Sequence, residues 1–156
     1  MKKSRILNSQ LNNAIALMGH GDFIIISDAG LPIPDGKRVD LAIEADVPGI
    51  ADILELITSD LIYERVIVAE EQKSFNPEHY KRVDEICDRC EVETIPHAQL
   101  IGEYLDKAKF IVRTGAFEPW GNVILCSGID APTWFLKPGA KVPDYYQERV
   151  DYKEGE

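Results

Sequence analysis

Apolar residues recur along the chain at two spacings, and these spacings predict alternating strands and helices. Uninterrupted or alternating apolar runs predict six short strands, at residues 23–27, 39–43, 66–69, 92–95, 110–112 and 123–126. Apolar residues three and four positions apart predict four helices, at residues 8–18, 48–57, 76–90 and 96–105. Because helices and strands alternate, we expect an α/β fold, a three-layer α/β/α sandwich around a mixed, mostly parallel sheet of about six strands.

The pattern changes after Gly128. Three prolines, Pro132, Pro138 and Pro143, interrupt a stretch that carries several aromatic residues but has no clean period. We therefore predict one compact domain over residues 1–128 and an irregular C-terminal extension, the arm, over residues 129–156. Its aromatic residues indicate that part of the arm docks on the chain itself or on a neighbouring subunit.

Charge and composition argue against several classes of partner. The chain has 156 residues and a formal net charge of -10, which is unfavourable for binding nucleic acid or an anionic membrane surface. No apolar run is long enough to span a bilayer, and the N-terminus has no secretory signal pattern. Three cysteines, an odd number, make a disulfide scaffold improbable. We expect a cytoplasmic protein.

The most informative segment is residues 19–32, where a buried strand lies between a histidine and an aspartate. His20 follows a predicted helix, whose unpaired carbonyls favour a protonated imidazole and so a proton donor, although a helix cap or a solvated turn is the alternative. Asp28 ends the strand, where a carboxylate can accept hydrogen bonds from two hydroxyls of a neutral polyol or simply cap the turn. The strand separates them by roughly 20 Å, so a shared pocket requires a bend or two subunits.

Two further groups are candidates for a functional site. His97 begins a predicted helix, where the positive end of the dipole favours a neutral imidazole, or it is a plain surface residue. Trp120, Gly121 and Asn122 offer an aromatic face beside an amide, which suits a sugar, but packing and a turn explain them as well. The remaining histidine, His79, is predicted to lie on the solvated surface.

Cysteines and acidic residues predict neither a metal site nor a cofactor site. Cys87 and Cys90 have CxxC spacing but follow a helix instead of preceding one, which raises thiol pKa values where redox motifs need them low. Glu70 with His20 and His97 could form a metal-dependent site, but a solvated rim or a subunit contact is the simpler interpretation. The glycine-rich loop matches no nucleotide fingerprint.

Several motifs together carry a family resemblance. They occur in order along residues 1–128: Asn8-Ser9, Gly19-His20-Gly21-Asp22, Ser27 to Pro34, Ala69-Glu70-Glu71, Asn76-Pro77, His97, Arg113-Thr114-Gly115 and Gly121 to Gly128. This set resembles the D-ribose pyranase and L-fucose mutarotase family, and residues 27–32 are more similar to its ribose branch.

The resemblance implies a cytoplasmic, cofactor-free sugar isomerase that interconverts pyranose and furanose, or anomeric, forms of an aldose. It also implies a ring-shaped homo-oligomer whose sites lie at subunit boundaries, with a monosaccharide as the small-molecule partner. By this resemblance His20 is the general acid, Asp28 and His97 bind sugar hydroxyls, and the triplet 120–122 contacts the substrate.

Three features depart from the family pattern. Family members usually have tyrosine in place of Trp120, they usually have glutamate in place of Ala116, and typical members lack the arm. A non-catalytic sugar-binding or regulatory protein on the same scaffold is therefore the alternative function.

Overall fold

The computed structural model describes residues 1–153, and a six-stranded sheet forms its centre. The strands are β1 (Phe23–Ser27), β2 (Arg38–Asp40), β3 (Tyr63–Ala69), β4 (Val92–Ile95), β5 (Ala108–Arg113) and β6 (Val123–Ser127). Their order across the sheet is β2-β5-β1-β6-β3-β4. Strand β6 is antiparallel to both neighbours, β1 and β3, and the other pairs are parallel. The predicted mixed, mostly parallel sheet is confirmed.

Helices cover both faces of the sheet. They are α1 (Ser9–Ala16), α2 (Ile50–Thr58), α3 (Glu70–Phe75), α4 (Pro77–Ile86), α5 (His97–Gln99), α6 (Leu105–Lys107), α7 (Ala131–Trp134) and α8 (Gln147–Asp151), with a π turn at Leu100–Tyr104 and a 3₁₀ turn at Asp144–Tyr146. Helix α1 begins where the Asn8 side chain accepts a hydrogen bond of 2.9 Å from the Leu11 amide. Within the described residues, no helix is both long enough and apolar enough to cross a membrane.

Alternate residues of β1 face two separate cores. Ile24 and Ile26 pack with residues of α1, α2 and α4, and Ile25 packs with Leu100 and Leu105 on the opposite face. This period of two is the geometry of a strand with a core on each side. Burying each such side chain contributes about 1.5–3 kcal/mol of transfer free energy. The predicted three layers are therefore present.

Two predicted elements end three or four residues early, and one helix was not predicted. The second strand was expected over 39–43 but ends at Asp40, whose side chain accepts a hydrogen bond of 3.1 Å from the Ala42 amide and so turns the chain. The helix expected over 76–90 ends at Ile86, because the next residue leaves the helical region with φ -97 and ψ 60. Helix α3 was not predicted, since its sequence EEQKSF has no apolar period.

The described part of the arm is more ordered than an irregular extension. It contains α7, the 3₁₀ turn and α8, and it starts from the end of β6. Aromatic contacts hold it together, with ring centroids of Phe135 and Tyr146 5.8 Å apart and those of Tyr145 and Tyr146 5.3 Å apart. Residues 154–156 of the predicted extension lie outside the described residues.

Candidate functional site

The sheet divides the candidate residues between two opposite edges. Asp28 follows β1 and His97 follows β4, so both lie at the carboxyl edge of the parallel strands. The triplet 120–122 precedes β6, which runs the other way, and therefore lies at the same edge. His20 precedes β1 and lies at the amino edge. The structure thus groups the predicted binding residues at one edge and places the predicted acid at the other.

Asp28 and Asn122 form a mutual pair, although they are 94 positions apart. The Asp28 amide donates to Asn122 Oδ1 at 3.0 Å, and Asn122 Nδ2 donates to Asp28 Oδ2 at 3.1 Å. The Gly30 amide donates to Asp28 Oδ1 at 2.8 Å. These bonds orient a half-buried carboxylate whose oxygens each retain accepting capacity for a hydroxyl ligand.

An open pocket adjoins this pair. It has a volume of about 510 Å³, and Asp28, Arg113, Phe117 and Pro119 are among the residues that line it. This volume is within the range of small-molecule sites. Arg113 also donates from Nε to the Ala29 carbonyl at 3.1 Å, which ties β5 to the loop after β1. The pocket is therefore bounded by well-connected backbone on the Asp28 side.

The triplet has a constrained backbone. Trp120 has φ of 50°, in the left-handed region that non-glycine residues rarely adopt. A Cβ on Gly121 would lie 2.6 Å from Glu118 Cγ and 2.9 Å from Ile50 Cδ1, so a larger residue does not fit there without displacement. The Trp120 ring is 5.3 Å from the Phe75 ring, centroid to centroid. Packing and backbone geometry together set the position of Asn122.

Three side chains clamp the loop before β6. The consecutive carbonyls of residues 119–121 accept hydrogen bonds from Asn76 Nδ2 at 3.1 Å, Gln72 Nε2 at 2.8 Å and His79 Nε2 at 3.0 Å, respectively. Gln72 is fully buried, and its Oε1 has no hydrogen-bond partner within residues 1–153. Holding successive carbonyls restrains the backbone of residues 120–122.

The prediction that His79 is solvated is wrong, because its side chain is only 6 % exposed and binds the Gly121 carbonyl. Sequence reasoning also missed that Gln72 and Asn76 hold this loop. No local pattern marked them, since Gln72 lies on α3, His79 lies on α4, and Asn76 lies at the non-helical junction between the two helices.

His97 is half-buried and is held through its backbone. Its amide donates to Glu71 Oε2 at 2.9 Å, so the first turn of α3 caps the start of α5. Glu71 therefore caps this turn. Because His20 lies at the opposite edge, one chain does not combine His20, His97 and Glu70 into a metal site. Among residues 1–153, no group of three or more His, Cys, Asp or Glu could hold a metal ion.

At the amino edge, His20 lies on a turn that Asp22 closes. Asp22 Oδ2 accepts from the Gly19 amide at 2.7 Å and from Lys109 Nζ at 2.7 Å. The hydrogen bond from Lys109, and then that from Gly19, lowers the pKa of Asp22. His20 Nε2 is 3.0 Å from Glu64 Oε1, on β3. Sequence reasoning missed Glu64 because 44 positions separate it from His20.

The cysteines have the properties of structural residues. Burial is the largest cause that raises the pKa of Cys87 to about 12 and of Cys90 to about 11. Burial also raises the pKa of Cys126. The thiol pKa values of Cys87 and Cys90 are raised, as the sequence predicted, but the main cause is desolvation rather than the helix dipole.

Known proteins resemble this chain in sequence. The model of the RbsD / FucU transport protein family matches residues 1–130. D-ribose pyranase 2 of Rubrobacter xylanophilus is 45% identical over 151 residues, which cover 96% of this chain and 98% of the relative. D-ribose pyranase of Bacillus cereus is 42% identical over 130 residues, covering 83% of this chain and 98% of the relative. The first alignment extends into the arm, so this segment has a counterpart in some relatives.

Solved structures share the fold. The structure of Bacillus subtilis RbsD complexed with D-ribose has a TM-score of 0.78 and 38% identity, covering 83% of this chain and 98% of that one. A fucose mutarotase from Streptococcus pneumoniae, in complex with L-fucose, has a TM-score of 0.64 at 18% identity and covers 83% of this chain and 99% of that one, a likeness of fold alone. With a family model that covers residues 1–130 and relatives above 40% identity, the chain belongs to the RbsD / FucU transport protein family.

Proposed function

We propose that this protein is a sugar isomerase of the D-ribose pyranase type, which interconverts the pyranose and furanose forms of an aldose such as D-ribose. The observation that carries the proposal is the Asp28–Asn122 pair, which presents a carboxylate beside an open pocket. It occurs in a chain that is 38% identical to a protein whose structure contains D-ribose. Relatives named D-ribose pyranase, at 40–45% identity, support the same reaction class.

The reaction requires proton transfer and no change of oxidation state. When the pyranose ring opens, the anomeric hydroxyl loses its proton to water and its oxygen forms the carbonyl. The bond between C1 and the ring oxygen breaks, its electron pair stays on the ring oxygen, and that oxygen takes a proton from the general acid. Attack of the 4-hydroxyl on C1 then closes the furanose, as this hydroxyl loses its proton to water, the carbonyl oxygen takes one up, and water returns a proton to the general acid. We assign the acid to His20, and a positioned histidine contributes about 10²–10⁴-fold to such a rate.

The carboxyl edge would hold the sugar. Asp28 and Asn122 are suited to read hydroxyls, and the indole of Trp120 offers an apolar face to C–H groups. His97 lies at the same edge and supplies a further polar group. The clamp formed by Gln72, Asn76 and His79 would keep the triplet in register with Asp28 by fixing its backbone before the sugar binds.

A complete site requires two copies of the chain in this proposal. His20 and Asp28 are at opposite ends of β1, roughly 20 Å apart, whereas proton transfer needs contact at about 3 Å. A ring-shaped homo-oligomer would bring the amino edge of one copy to the carboxyl edge of the next. Support comes from Phe117, which lines the pocket, and from Ile43, which lines a neighbouring depression together with Phe117. They are 71% and 81% exposed and suit burial in an interface.

We also propose a cytoplasmic location. The described residues contain three free thiols, Cys87, Cys90 and Cys126, and an intracellular sugar pathway would supply the substrate.

The proposal is tested by NMR exchange spectroscopy of D-ribose. The wild-type protein should accelerate exchange between the pyranose and furanose signals, and His20→Ala should abolish the acceleration. Arg82→Met, which removes a surface charge on α4, is the control and should leave the rate unchanged. Calorimetric binding of ribose without faster exchange would instead select the non-catalytic sugar-binding protein, and neither effect across a panel of aldoses would reject the proposal.

A further inference from the structure

Glu64 connects His20 to the C-terminal arm. Its Oε1 lies 3.0 Å from His20 Nε2, and its Oε2 lies 3.4 Å from Arg149 Nη1, on α8. The Glu64 side chain is only 14% exposed. Its Oε2 is buried and makes no hydrogen bond within residues 1–153, so the charge of Arg149 is what compensates this oxygen. One carboxylate therefore faces the proposed acid on one side and the arm on the other.

Aromatic contacts hold Arg149 in this position. Its guanidinium lies 4.8 Å from the centroid of the Tyr146 ring, which in turn packs against Phe135. At the end of the arm, the guanidinium of Arg89 lies 4.4 Å from the centroid of the Tyr152 ring, which attaches the arm to the segment after α4. The ion pair thus belongs to a docked segment rather than to a freely moving side chain.

The backbone just before the arm also accommodates Glu64. A Cβ on Gly128 would lie 3.3 Å from both Glu64 Cβ and Glu64 Oε2, which is tighter than most such contacts. The Gly128 amide donates to the Ile62 carbonyl at 2.8 Å, so this residue stays against β3. A larger residue at position 128 would push the carboxylate away from His20.

From this geometry we propose that Glu64 and Arg149 are positioning residues for His20, and that the arm is part of the acid's machinery. The inference rests on the proposed function. Glu64 accepts a hydrogen bond from Nε2–H and fixes the imidazole ring, so the atom that faces substrate is Nδ1. In the protonated imidazole, Nδ1–H gives its proton to the ring oxygen of the sugar as the C1–oxygen bond breaks. Nε2–H stays with Glu64, and Nδ1 later regains a proton from water.

Two variants test the positioning roles. Glu64→Gln keeps the shape but removes the charge, and should lower kcat about ten-fold or more, within the contribution of a general acid. Arg149→Met should lower kcat about five-fold, the upper end for a partly exposed ion pair. In both, KM should change less than about two-fold, because neither residue touches the sugar. Arg149→Lys keeps the charge and should restore most of kcat.

Arg82→Met is the matched control, because Arg82 is 49% exposed and ion-paired like Arg149, which is 42% exposed, but it contacts Glu55 and Glu85 instead. A second readout is independent of activity. In ¹⁵N spectra of histidine-labelled protein, neutral His20 should be almost wholly the Nε2–H tautomer. Glu64→Gln and Arg149→Met should move both ring nitrogens toward the shifts of free histidine, and Arg82→Met should not.

The outcomes separate this inference from the proposed function. Wild-type protein that accelerates the exchange of no aldose in the panel rejects the proposed function, and the ¹⁵N shifts then still decide whether Glu64 and Arg149 orient His20. Active wild type with Arg149→Met indistinguishable from Arg82→Met in kcat and ¹⁵N shifts overturns the role of the arm. Unchanged kcat in Glu64→Gln overturns the role of Glu64. Thermal melting confirms that each variant is folded.

Discussion

Mixing two inactive variants tests whether the site is shared between copies. His20→Ala removes the proposed acid at the amino edge, and Asp28→Ala removes the carboxylate at the carboxyl edge. Asp28→Ala also loses the hydrogen bonds from Gly30 and Asn122, each worth about 1 kcal/mol, and leaves the core of β1 intact. Each variant should therefore fold, assemble and be inactive by itself.

The expected recovery follows from the distance along β1. The strand and the turn before it separate His20 from Asp28 by roughly 20 Å, far beyond the reach of one imidazole, so each site takes the two residues from different copies. In a random assembly from equal amounts of both variants, half of the His20 positions and half of the Asp28 positions at any site are intact. About a quarter of the sites then have both, and about a quarter of the wild-type activity should return.

The assay is ribose exchange by NMR on mixed oligomers from co-expressed variants that carry different affinity tags. Purification over both tags ensures that every particle contains both chains. A mixture of two separately assembled and purified variants is the control and should stay inactive. Mixed oligomers with no recovered activity would refute a shared site, and so would an active wild-type monomer.

Three further predictions concern other parts of the molecule. Gln72→Leu removes the donor to the Trp120 carbonyl and should lower the free energy of unfolding by about 1 kcal/mol. The loss is limited to this size because the substitution also removes the unpartnered Oε1 of Gln72. The KM of this variant for ribose should rise. The ion pair with Lys109 lowers the pKa of Asp22 below 3.8, so its contribution to stability is complete at neutral pH and is lost as the pH falls below about 4. As the pH falls below about 4, the difference in urea midpoint between wild type and Asp22→Asn should therefore shrink. Cys87, with its pKa raised to about 12, should react with a thiol reagent at neutral pH only after unfolding.

Each of these predictions has a contradicting result. Gln10→Leu changes an exposed residue of α1 and controls for the added apolar surface, so equal unfolding free energies for both leucine variants would contradict the clamp. A urea difference for Asp22→Asn that does not vary between pH 7 and pH 3 would contradict the ion pair. Labelling of Cys87 at the same rate in folded and unfolded protein would contradict its burial.

Local patterns predicted much of the fold, as β1 illustrates. Its apolar residues 23–26 indicated a strand buried on both faces, and alternate residues do face two cores. The same patterns failed for α3, whose polar sequence has no period, and for the residues just after Asp40, where a side chain turns the chain. The turn after Asp40 depends on a side-chain hydrogen bond, which hydrophobic spacing does not report.

Only some residues of the candidate site could be proposed from the sequence. His20, Asp28, His97 and Asn122 could be proposed from their types and their places at strand or helix ends. Gln72, His79 and Glu64 could not, because each one acts on a residue more than 40 positions away. His79 was placed on the surface for this reason, since a local pattern does not reveal which loop will cover a helix face.

The sequence by itself determined the elements, the apolar faces and the end of each strand at which a polar residue lies, because spacing and capping are local properties of the chain. The tertiary structure decided which of these ends meet. With β6 antiparallel between β1 and β3, Asn122 lies beside Asp28, Glu64 lies beside His20, and the arm emerges at the His20 edge. Strand order and direction depend on the packing of the whole chain, and they separate the proposed acid from the proposed sugar-binding residues.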